Sequence, residues 1–369
     1  MKNVFTKVLS AALASLLLVA VVSCGDGKKD APVSPSDLKT ETPCYNSLLL
    51  SVDYGEDTTY VIGHKTPDAD TVGSAVAYAD LLNRIGIKAQ PAISGELNKE
   101  TAYAYEKLGI KAPETVTDAE GKQFVLVDHS SYSQAIDGME SAKIVGVVDH
   151  HGIGDVMVSE LINVRCAPVG ATASLVYLAY RECDVEISEE MARYMLVSII
   201  SDTHNMRRNV TDADQAAYDD LKKIAGVEDT EELYTGMAEA EMSYEGMTDK
   251  EIFFSDYKDY SIGGKTFGMA SLDAYGEKNV RELSERMVKV MEECYAETGL
   301  DMLFAKVSNA KEGSGENMMY MVAFGEGAQE LLLKTFECTQ DGNFFVFKEN
   351  LSRKKDIIPA MTTVLENKD

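Results

Sequence analysis

The chain has 369 residues, a length that predicts two to three domains, each able to bury a core. Hydrophobic residues make up 45% of the sequence, which contains only 27 glycines and 8 prolines, so collagen-like, low-complexity and wholly disordered proteins are excluded. The formal net charge of −26 repels phosphate backbones, which argues against nucleic-acid binding. An anionic substrate would need metal ions or a small basic cluster to hold it.

Residues 1–23 have the composition of an export signal. Lys2 and Lys7 form a positive start, and residues 8–22 form an uncharged apolar run that is shorter than the ~20 residues of a membrane span. We therefore interpret residues 1–23 as a cleavable signal peptide, with a slightly short transmembrane helix as the alternative.

The apolar run ends in Val-Val-Ser-Cys at residues 21–24, which resembles the lipobox of bacterial lipoproteins. This resemblance implies cleavage before Cys24 and acylation of that cysteine, while an ordinary signal peptide with an incidental cysteine is the alternative. Residues 24–57 are interpreted as a polar linker and a lead-in to the globular part. We expect an exported, membrane-anchored lipoprotein on the periplasmic or cell-surface side of a bacterium.

The first globular part, over residues 58–240, alternates strand and helix patterns. Three short runs rich in β-branched residues lack polar alternation, which predicts strands buried on both faces of a mostly parallel sheet; they are residues 60–62, 124–127 and 144–148. Helical patterns cover residues 71–85, a stretch that opens at residues 170–172 and runs through residue 178, and residues 188–202. For the first helix we expect Asp70 or Thr71 as the N-cap. This order of elements predicts an α/β domain.

The second globular part, over residues 250–369, has a different pattern. An acid-rich stretch over residues 228–251 precedes it, and two-residue alternation then predicts strands at residues 265–272, 303–307 and 318–324. Helical patterns lie at residues 280–298 and 328–336. We therefore expect a second, smaller domain of the α+β class.

Metal-ligand residue types follow each of the three buried-strand runs. The strand ends carry His64, then Asp128 and His129, and then Asp149, His150 and His151. The last of the 5 histidines, His204, lies two residues after Asp202 in the third helical pattern. A strand-end Asp alone is usually a turn residue, but the carboxyl ends of such strands meet in one crevice. The coincidence at several elements predicts a metal site.

The donor set indicates which metal ions and which chemistry to expect. His64, Asp68 and Asp70 supply one imidazole and two carboxylates from a single strand-to-helix loop. Further donors come from other elements: Asp128, Asp149, His150, His151 and Asp202. A His/Asp set without thiolate suits Mn²⁺ and also zinc, cobalt or iron, and it is too large for one ion. Two ions that share a carboxylate and a water can direct hydroxide at a phosphorus, so the pattern predicts a phosphoryl hydrolase.

Four ordered motifs resemble those of the DHH phosphoesterase superfamily, and most closely its manganese-dependent family II inorganic pyrophosphatases. They are Gly63-His64-Lys65-Thr66-Pro67-Asp68-Ala69-Asp70, Val127-Asp128-His129, Asp149-His150-His151 and Ser201-Asp202-Thr203. Pro168-Val169-Gly170-Ala171-Thr172 also resembles a helix start of that family. The resemblance implies a DHH domain with a mostly parallel sheet, a DHH-associated domain with a mixed sheet, and an active site in the cleft between them.

The resemblance also implies the metal ligands. Carried over position by position, one ion is held by His64 and Asp68, and the other by Asp70, His150 and Asp202, with Asp128 as the bridging carboxylate. The implied cofactor is two or more Mn²⁺ ions, with Mg²⁺ or Co²⁺ as alternatives. His151 would face the substrate and donate a proton to the leaving phosphate, so His151 and Asp128 are the implied catalytic residues.

Basic residues of the second domain resemble the substrate-binding residues of the family. Lys258 lies in Asp256-Tyr257-Lys258-Asp259-Tyr260, and Arg353 and Lys354 lie in Ser352-Arg353-Lys354-Lys355. The resemblance implies that Lys258, Arg353 and Lys354 bind phosphate oxygens. The alternative for the Arg353 motif is a solvated basic run.

The implied activity is hydrolysis of pyrophosphate to two phosphates. A homodimer is one expectation for the assembly, which the sequence leaves open. Asn205-Met206, after Asp202, resembles instead the exopolyphosphatase branch, so short polyphosphates are an alternative substrate. A third alternative is a non-catalytic phosphate- or metal-binding lipoprotein. The nuclease branch of the superfamily is disfavoured because its Gly-Gly-Gly-His motif is absent, which agrees with the negative charge.

Overall fold

The computed structural model describes residues 45–311 and 318–367, which form two α/β domains. The N-terminal domain contains α1 (Tyr45–Leu49), β1 (Thr59–Ile62), α2 (Ala69–Arg84), β2 (Ala89–Ile93), α3 (Lys99–Leu108), β3 (Glu114–Thr115), β4 (Gln123–Val127), two 3₁₀ turns (Tyr132–Gln134 and Met139–Ser141), β5 (Lys143–Asp149), β6 (Asn163–Cys166), α4 (Thr172–Glu182), α5 (Glu189–Asp202), α6 (Asp212–Ile224) and α7 (Thr230–Glu241). The C-terminal domain contains α8 (Asp249–Ser255), β7 (Tyr257–Ile262), β8 (Lys265–Ala274), α9 (Glu277–Thr298), β9 (Met302–Asn309), β10 (Met319–Gly325), α10 (Ala328–Thr335), β11 (Thr339–Asp341), β12 (Phe344–Phe347), a π-helix (Arg353–Ile357) and α11 (Ile358–Glu366).

The N-terminal domain is built on a sheet of six parallel strands in the order β3-β2-β1-β4-β5-β6. Every residue of β4 is buried, and so is every residue of β5 except its first, which agrees with their continuous apolar sequences. The predicted α/β class with a mostly parallel sheet is confirmed. The strands β2, β3 and β6 were not predicted, because they lack a continuous buried apolar run: only the last two residues of β2 are buried, and no residue of β3 or β6 is.

Helix α2 begins earlier than its sequence pattern suggested. Its N-cap is Asp68, whose Oδ1 accepts a hydrogen bond of 2.9 Å from the backbone N–H of Thr71. The prediction of Asp70 or Thr71 as the N-cap is therefore wrong. Asp70 instead lies in the first turn with a fully buried side chain, because its carboxylate bonds to the start of α4.

Close packing of α2 on α5 sets the positions of two of the predicted metal ligands. At Gly73 in α2 a Cβ atom would lie 2.1 Å from Ser198 Oγ and 2.7 Å from the carbonyl oxygen of Tyr194, both in α5. Only glycine permits this approach of the two helices. The helices thereby bring Asp70, in the first turn of α2, close to Asp202, at the end of α5.

The C-terminal domain has a mixed six-stranded sheet in the order β11-β12-β10-β9-β8-β7. Strands β8 and β9 are parallel, and the other neighbours are antiparallel. The predicted mixed-sheet domain is confirmed. The strand predicted over residues 303–307 is present as part of β9, and all eight residues of β9 are buried. Two apolar clusters, one on each side of the sheet, account for this burial.

None of the helices within residues 45–311 and 318–367 is both long and apolar enough to span a bilayer. The predicted signal peptide, Cys24 and the first part of the linker lie outside the described residues.

A buried carboxylate in α6 ties α6 to the start of α4. Asp214 is fully buried and accepts hydrogen bonds from Gly170 N (2.8 Å), from Ser174 Oγ (2.6 Å) and from the N–H and hydroxyl of Thr211 (2.8 and 2.6 Å). Burial by itself would raise the pKa of Asp214, but these hydrogen bonds outweigh it and lower the pKa.

Replacing Asp214 by Asn should destabilise the fold by about 2–4 kcal/mol, because an amide cannot accept at both of its terminal atoms. The lowered pKa means that the charged carboxylate stabilises the fold above its unfolded pKa and loses this effect as the pH falls through the folded pKa. The difference in free energy of unfolding between the two proteins should therefore shrink below about pH 4. Urea unfolding at pH 7 and pH 3.5 measures it. Asp219→Asn, an exposed change in the same helix, should have no effect, and an equally stable Asp214→Asn would contradict the prediction.

Candidate metal centre

The predicted metal ligands lie at the point where the strand order of the N-terminal sheet reverses. Strands β1 and β4 are neighbours in the sheet, and the chain leaves them in opposite directions. In open parallel sheets the crevice at this point is the usual ligand site. The loops after β1, β4 and β5 open into this crevice, and the ends of α2 and α5 border it. Residues far apart in sequence therefore meet there.

The structure brings all six predicted metal ligands together in sets of three. The ligand atoms within each set lie within 4.8 Å of one another, and the sets are His64, Asp68 and Asp128; Asp70, His150 and Asp202; and Asp128, His150 and His151. The first two correspond to the two predicted ion sites. Asp128 belongs to two of the three sets.

Asp128 contacts the two groups of ligands through different oxygens. Its Oδ2 lies 3.4 Å from His64 Nε2, and its Oδ1 lies 3.4 Å from His150 Nε2 and 3.6 Å from His151 Nδ1. This is the geometry that a bridging carboxylate requires. The backbone of Asp128 is left-handed, with φ of 62°, a conformation unusual for a non-glycine residue and frequent at functional sites.

The histidine His150 tests whether a cation fits the site. Its Nδ1 lies 3.0 Å from the carbonyl oxygen of Val169, which can only accept, so this nitrogen carries the proton. Its Nε2 is buried and has no hydrogen-bond partner among the described residues, and in the neutral imidazole this atom carries a lone pair. That lone pair faces carboxylate oxygens of Asp128 at 3.4 Å and Asp202 at 3.7 Å. A cation bound between this nitrogen and the carboxylate oxygens would be coordinated by all of them, so the donor set fits a metal ion.

The buried carboxylates of the site lie so close together that positive charge or protons must balance them. Burial, and then the negative charges of Asp128, Asp202 and Asp68, raise the pKa of Asp70 well above its ordinary range. Burial, followed by the charges of Asp128 and Asp68, raises the pKa of Asp202 to about 9. For His64 burial opposes protonation, but hydrogen bonds to Asp128 and Asp68 outweigh it and raise the pKa to about 10. Divalent cations would satisfy all of these groups without protons.

Two threonines hold Asp128 in position. Thr71 Oγ1 donates to its Oδ2 at 2.9 Å, and Thr172 Oγ1 donates to its Oδ1 at 3.0 Å. The backbone N–H groups of Thr172 and Ala173 donate to Asp70 at 2.6 and 2.9 Å. The sequence marked Thr172 only as part of a motif and Thr71 only as a candidate N-cap, because their contacts with Asp128 span long stretches of chain.

Asp149 positions His151 and belongs to none of the three ligand sets among the described residues. Its Oδ1 accepts from the backbone N–H of His151 at 3.0 Å and lies 3.1 Å from His151 Nδ1, while its Oδ2 accepts from Ser130 Oγ at 3.0 Å. His129 also lies outside the sets, and burial, with the charge of His64, lowers its pKa. The residue types at the strand ends thus divide into candidate ligands and residues that position them.

The predicted substrate residues lie in the C-terminal domain. Lys258 is an exposed residue of β7, and Arg353 and Lys354 open the π-helix. The guanidinium of Arg353 donates to the carbonyl oxygens of Asp256 (2.6 Å) and Met269 (3.2 Å) and to Asp256 Oδ1 (2.5 Å). Arg353 is therefore fixed against its own domain, while the exposed Lys354 extends from the π-helix.

A cavity of about 200 Å³ lies next to the end of α5 and is lined by both domains. Ser201 and His204 border it from the N-terminal domain, and Tyr275 and Lys311, which follow β8 and β9, border it from the C-terminal domain. Residues 204–206 have left-handed backbone, with φ of 50–63°, so the chain turns sharply just after Asp202.

Comparisons with known proteins define the class and then the family. The model of the DHH family N-terminal domain matches residues 58–199, and the DHHA2 domain matches residues 235–364. The protein is therefore a two-domain DHH protein. Manganese-dependent inorganic pyrophosphatases from Methanothrix thermoacetophila and Bacillus subtilis are 34% and 33% identical to it, over 84% and 83% of this chain and 99% and 98% of theirs.

A comparison with a solved structure supports the same family. A Methanococcus jannaschii protein assigned to the family II inorganic pyrophosphatases has 29% identity and a TM-score of 0.50, and the match covers 84% of this chain and 100% of that one. The chain belongs to the family of manganese-dependent inorganic pyrophosphatases, as the sequence motifs predicted.

Replacing Asp128 by Asn should abolish Mn²⁺ binding, because it removes the charge and one acceptor atom from two ligand sets at once. We expect the affinity to fall by more than ~100-fold in isothermal titration calorimetry. Asp57→Asn, an exposed carboxylate change, is the matched control and should bind Mn²⁺ normally. Retained affinity in Asp128→Asn would show that Asp128 is not a shared ligand.

Mn²⁺ binding should also release protons, because Asp70 and Asp202 have raised pKa values in the metal-free protein and carboxylates bind metals when ionised. The affinity should therefore rise with pH between 6 and 9. Titrations in two buffers of different ionisation enthalpy measure the number of protons released. A pH-independent affinity with no proton release would contradict the pKa directions.

Proposed function

We propose that this protein hydrolyses inorganic pyrophosphate to two phosphate ions with manganese as its divalent cofactor. The observation that carries the proposal is that Asp128 presents one carboxylate oxygen to His64 of the first ligand set and the other to His150 of the second. Support also comes from the names of relatives that match almost their full length to this chain. The six carboxylate and imidazole ligands and the acidic surroundings suit Mn²⁺.

In the proposed reaction a new phosphorus–oxygen bond forms to water and the bridging phosphorus–oxygen bond breaks. Bound divalent cations supply Lewis-acid charge and make water a nucleophile near neutral pH. His151 is the proton donor to the leaving phosphate: its Nδ1 is held by Asp149, and its side chain is 55% exposed, so its Nε2 is available to a substrate. Asp128 is the residue on which both ion sites depend.

We further propose that Lys258, Arg353 and Lys354 bind phosphate oxygens, as the motifs imply. Arg353 can bind two oxygens through its planar guanidinium, whereas the lysines act as point charges. Because Arg353 already bonds to Asp256, phosphate oxygens would replace or share those bonds. Binding would then be coupled to a local rearrangement at the start of the π-helix.

A short polyphosphate is the second candidate substrate. The cavity of about 200 Å³ beside the turn over residues 204–206 supports this alternative, because it lies next to Asp202 in the region where the sequence resembles exopolyphosphatases. A chain longer than pyrophosphate needs such additional space next to the ions.

For the N-terminus we propose a signal peptide over residues 1–23, lipid attachment at Cys24, and export to the periplasmic or cell-surface side of a bacterial membrane. The support is the sequence pattern alone: the positive start, the apolar run and the lipobox-like residues 21–24. Metabolic labelling with a radioactive fatty acid tests it, with Cys24→Ser as the control that should remain unlabelled.

We also propose that the protein is a homodimer. Strand β6 is the edge of the N-terminal sheet, and large apolar side chains beside it are exposed: Leu161 at 91%, Ile153 at 80% and Val164 at 55%. An apolar edge of this kind is suited to pairing with a second copy. Light scattering should give twice the monomer mass, and Leu161→Glu should reduce it.

Phosphate release from pyrophosphate, tripolyphosphate, long polyphosphate and a dinucleotide, with Mn²⁺ or Mg²⁺, tests the proposed reaction. We expect the highest kcat/KM on pyrophosphate with Mn²⁺, and His151→Gln should lower kcat by ~10²–10⁴-fold because it removes a proton donor. Mn²⁺ affinity is the control readout and should fall far less than in Asp128→Asn. No release from any substrate would favour a binding protein, and preference for longer chains would favour the polyphosphatase alternative.

A further inference from the structure

A buried lysine in the central strand β9 has no acidic partner among the described residues. Lys306 is 8% exposed, and its Nζ donates a hydrogen bond of 2.6 Å to Ser308 Oγ. Within residues 45–311 and 318–367 no carboxylate lies within 4.0 Å of this ammonium group. An ammonium group has three donor hydrogens, and the serine hydroxyl accepts one of them.

Burial of the charged ammonium group of Lys306 is energetically unfavourable in the protein without a bound ligand. Burial lowers the pKa of Lys306; the carboxylates of Asp273 and Asp256 oppose this shift, and the positive charge of Arg353 adds to it. Lysine is almost never fully buried unless it is paired. Arg353 is paired with Asp256, and neither Asp273 nor Asp256 lies within 4.0 Å of the Lys306 ammonium group, so an anion bound there would supply the hydrogen-bond acceptors that this buried group lacks among the described residues.

Strand register places Lys306 on the same face of the C-terminal sheet as the predicted substrate residues. Lys306 pairs with Ser271 of β8, and Met269, two residues earlier in β8, pairs with Lys258 of β7. Residues directly opposite each other, or two apart, share a face. Arg353 bonds to the carbonyl oxygen of Met269, and Ile357 of the same π-helix packs in the apolar cluster that contains Met269, so the π-helix with Arg353 covers this face.

The end of the sheet that carries Lys306 and Ser308 lies towards the candidate metal centre. Strands β8 and β9 are parallel, and the residues after their carboxyl ends, Tyr275 and Lys311, line the cavity that also contacts Ser201. Ser201 directly precedes Asp202. On this face the side chains change along β9 from apolar at Phe304 to polar at Lys306 and Ser308.

We propose that Lys306 and Ser308, together with Arg353, form a phosphate-binding subsite in the C-terminal domain. The ligand class is a phosphate group of an inorganic phosphoanhydride. Lys306 would donate to a non-bridging oxygen and Ser308 would position the ammonium group. No sequence motif pointed to Lys306, since a lysine within a strand pattern predicts a solvent-facing side chain. The subsite rests on the proposed function, because it specifies how that substrate is held.

Lys306→Met tests the subsite, because methionine has a similar length and no charge. In the Mn²⁺-loaded full chain we expect imidodiphosphate, a non-hydrolysable pyrophosphate analogue, to bind ~10–100-fold more weakly in calorimetry, with unchanged Mn²⁺ affinity. Lys306→Arg, which keeps the charge, should retain more of the binding than Lys306→Met. Lys334→Met, an exposed change in α10, is the matched control.

Thermal unfolding separates this role from a structural one. Lys306→Met removes a buried charge without an acidic partner, so its Tm without ligand should equal or exceed that of the unchanged chain, whereas a structural lysine would lower it. Tripolyphosphate binding locates the subsite. Weaker binding of tripolyphosphate alone places the subsite beyond the positions of the two phosphate groups of pyrophosphate. Weaker binding of both ligands places it at one of those two positions.

Unchanged binding of both ligands in Lys306→Met would overturn the subsite, and so would a lowered Tm accompanied by unchanged binding. The outcome for the proposed function is separate. If the unchanged chain binds imidodiphosphate in a Lys306-dependent way but releases no phosphate from pyrophosphate, the subsite stands and the hydrolytic function fails. If the unchanged chain binds neither ligand, the subsite is wrong.

Discussion

The site depends on one electrostatic constraint: several carboxylates are buried close together around Asp128. Asp70 and Asp128 are 0% and 2% exposed, and the charges of these acids raise the pKa of Asp70 and of Asp202. Such a cluster is stable only with protons or cations among its oxygens. His150 Nε2, which has no hydrogen-bond partner in the described part of the chain, faces the same oxygens and can serve as a metal ligand, so cation binding would stabilise the fold.

The remainder of the N-terminal domain maintains that cluster. Gly73 allows α2 and α5 to pack closely, and the start of α4 donates two backbone N–H groups to Asp70. Asp214, in α6, ties the loop at Gly170 to the same helix start. These contacts order the ligands before any ion binds, which lowers the entropy lost on binding. The domain therefore acts as a rigid support for a highly charged centre.

The C-terminal domain complements this centre with positive charge. Lys258, Arg353 and Lys306 lie on one face of the mixed sheet, in a protein whose net charge is −26. Local concentration of cations offsets the overall repulsion that an anionic substrate would meet. In the proposed reaction the acids of the N-terminal domain would hold the ions and the bases of the C-terminal domain would bind phosphate.

The sequence by itself determined the two-domain α/β class, the strands that precede the site, and the residue types that gather there. It could do so because buried strands and helices have characteristic periods and because His and Asp at successive strand ends form an ordered motif. Only the tertiary structure decided that Asp68 caps α2, that Asp149 positions His151, and that Thr71 and Thr172 hold Asp128 across 57 and 44 positions of the chain. Only the tertiary structure showed that Lys306 is buried. These outcomes depend on which elements pack together, and local periodicity carries no information about partners that distant.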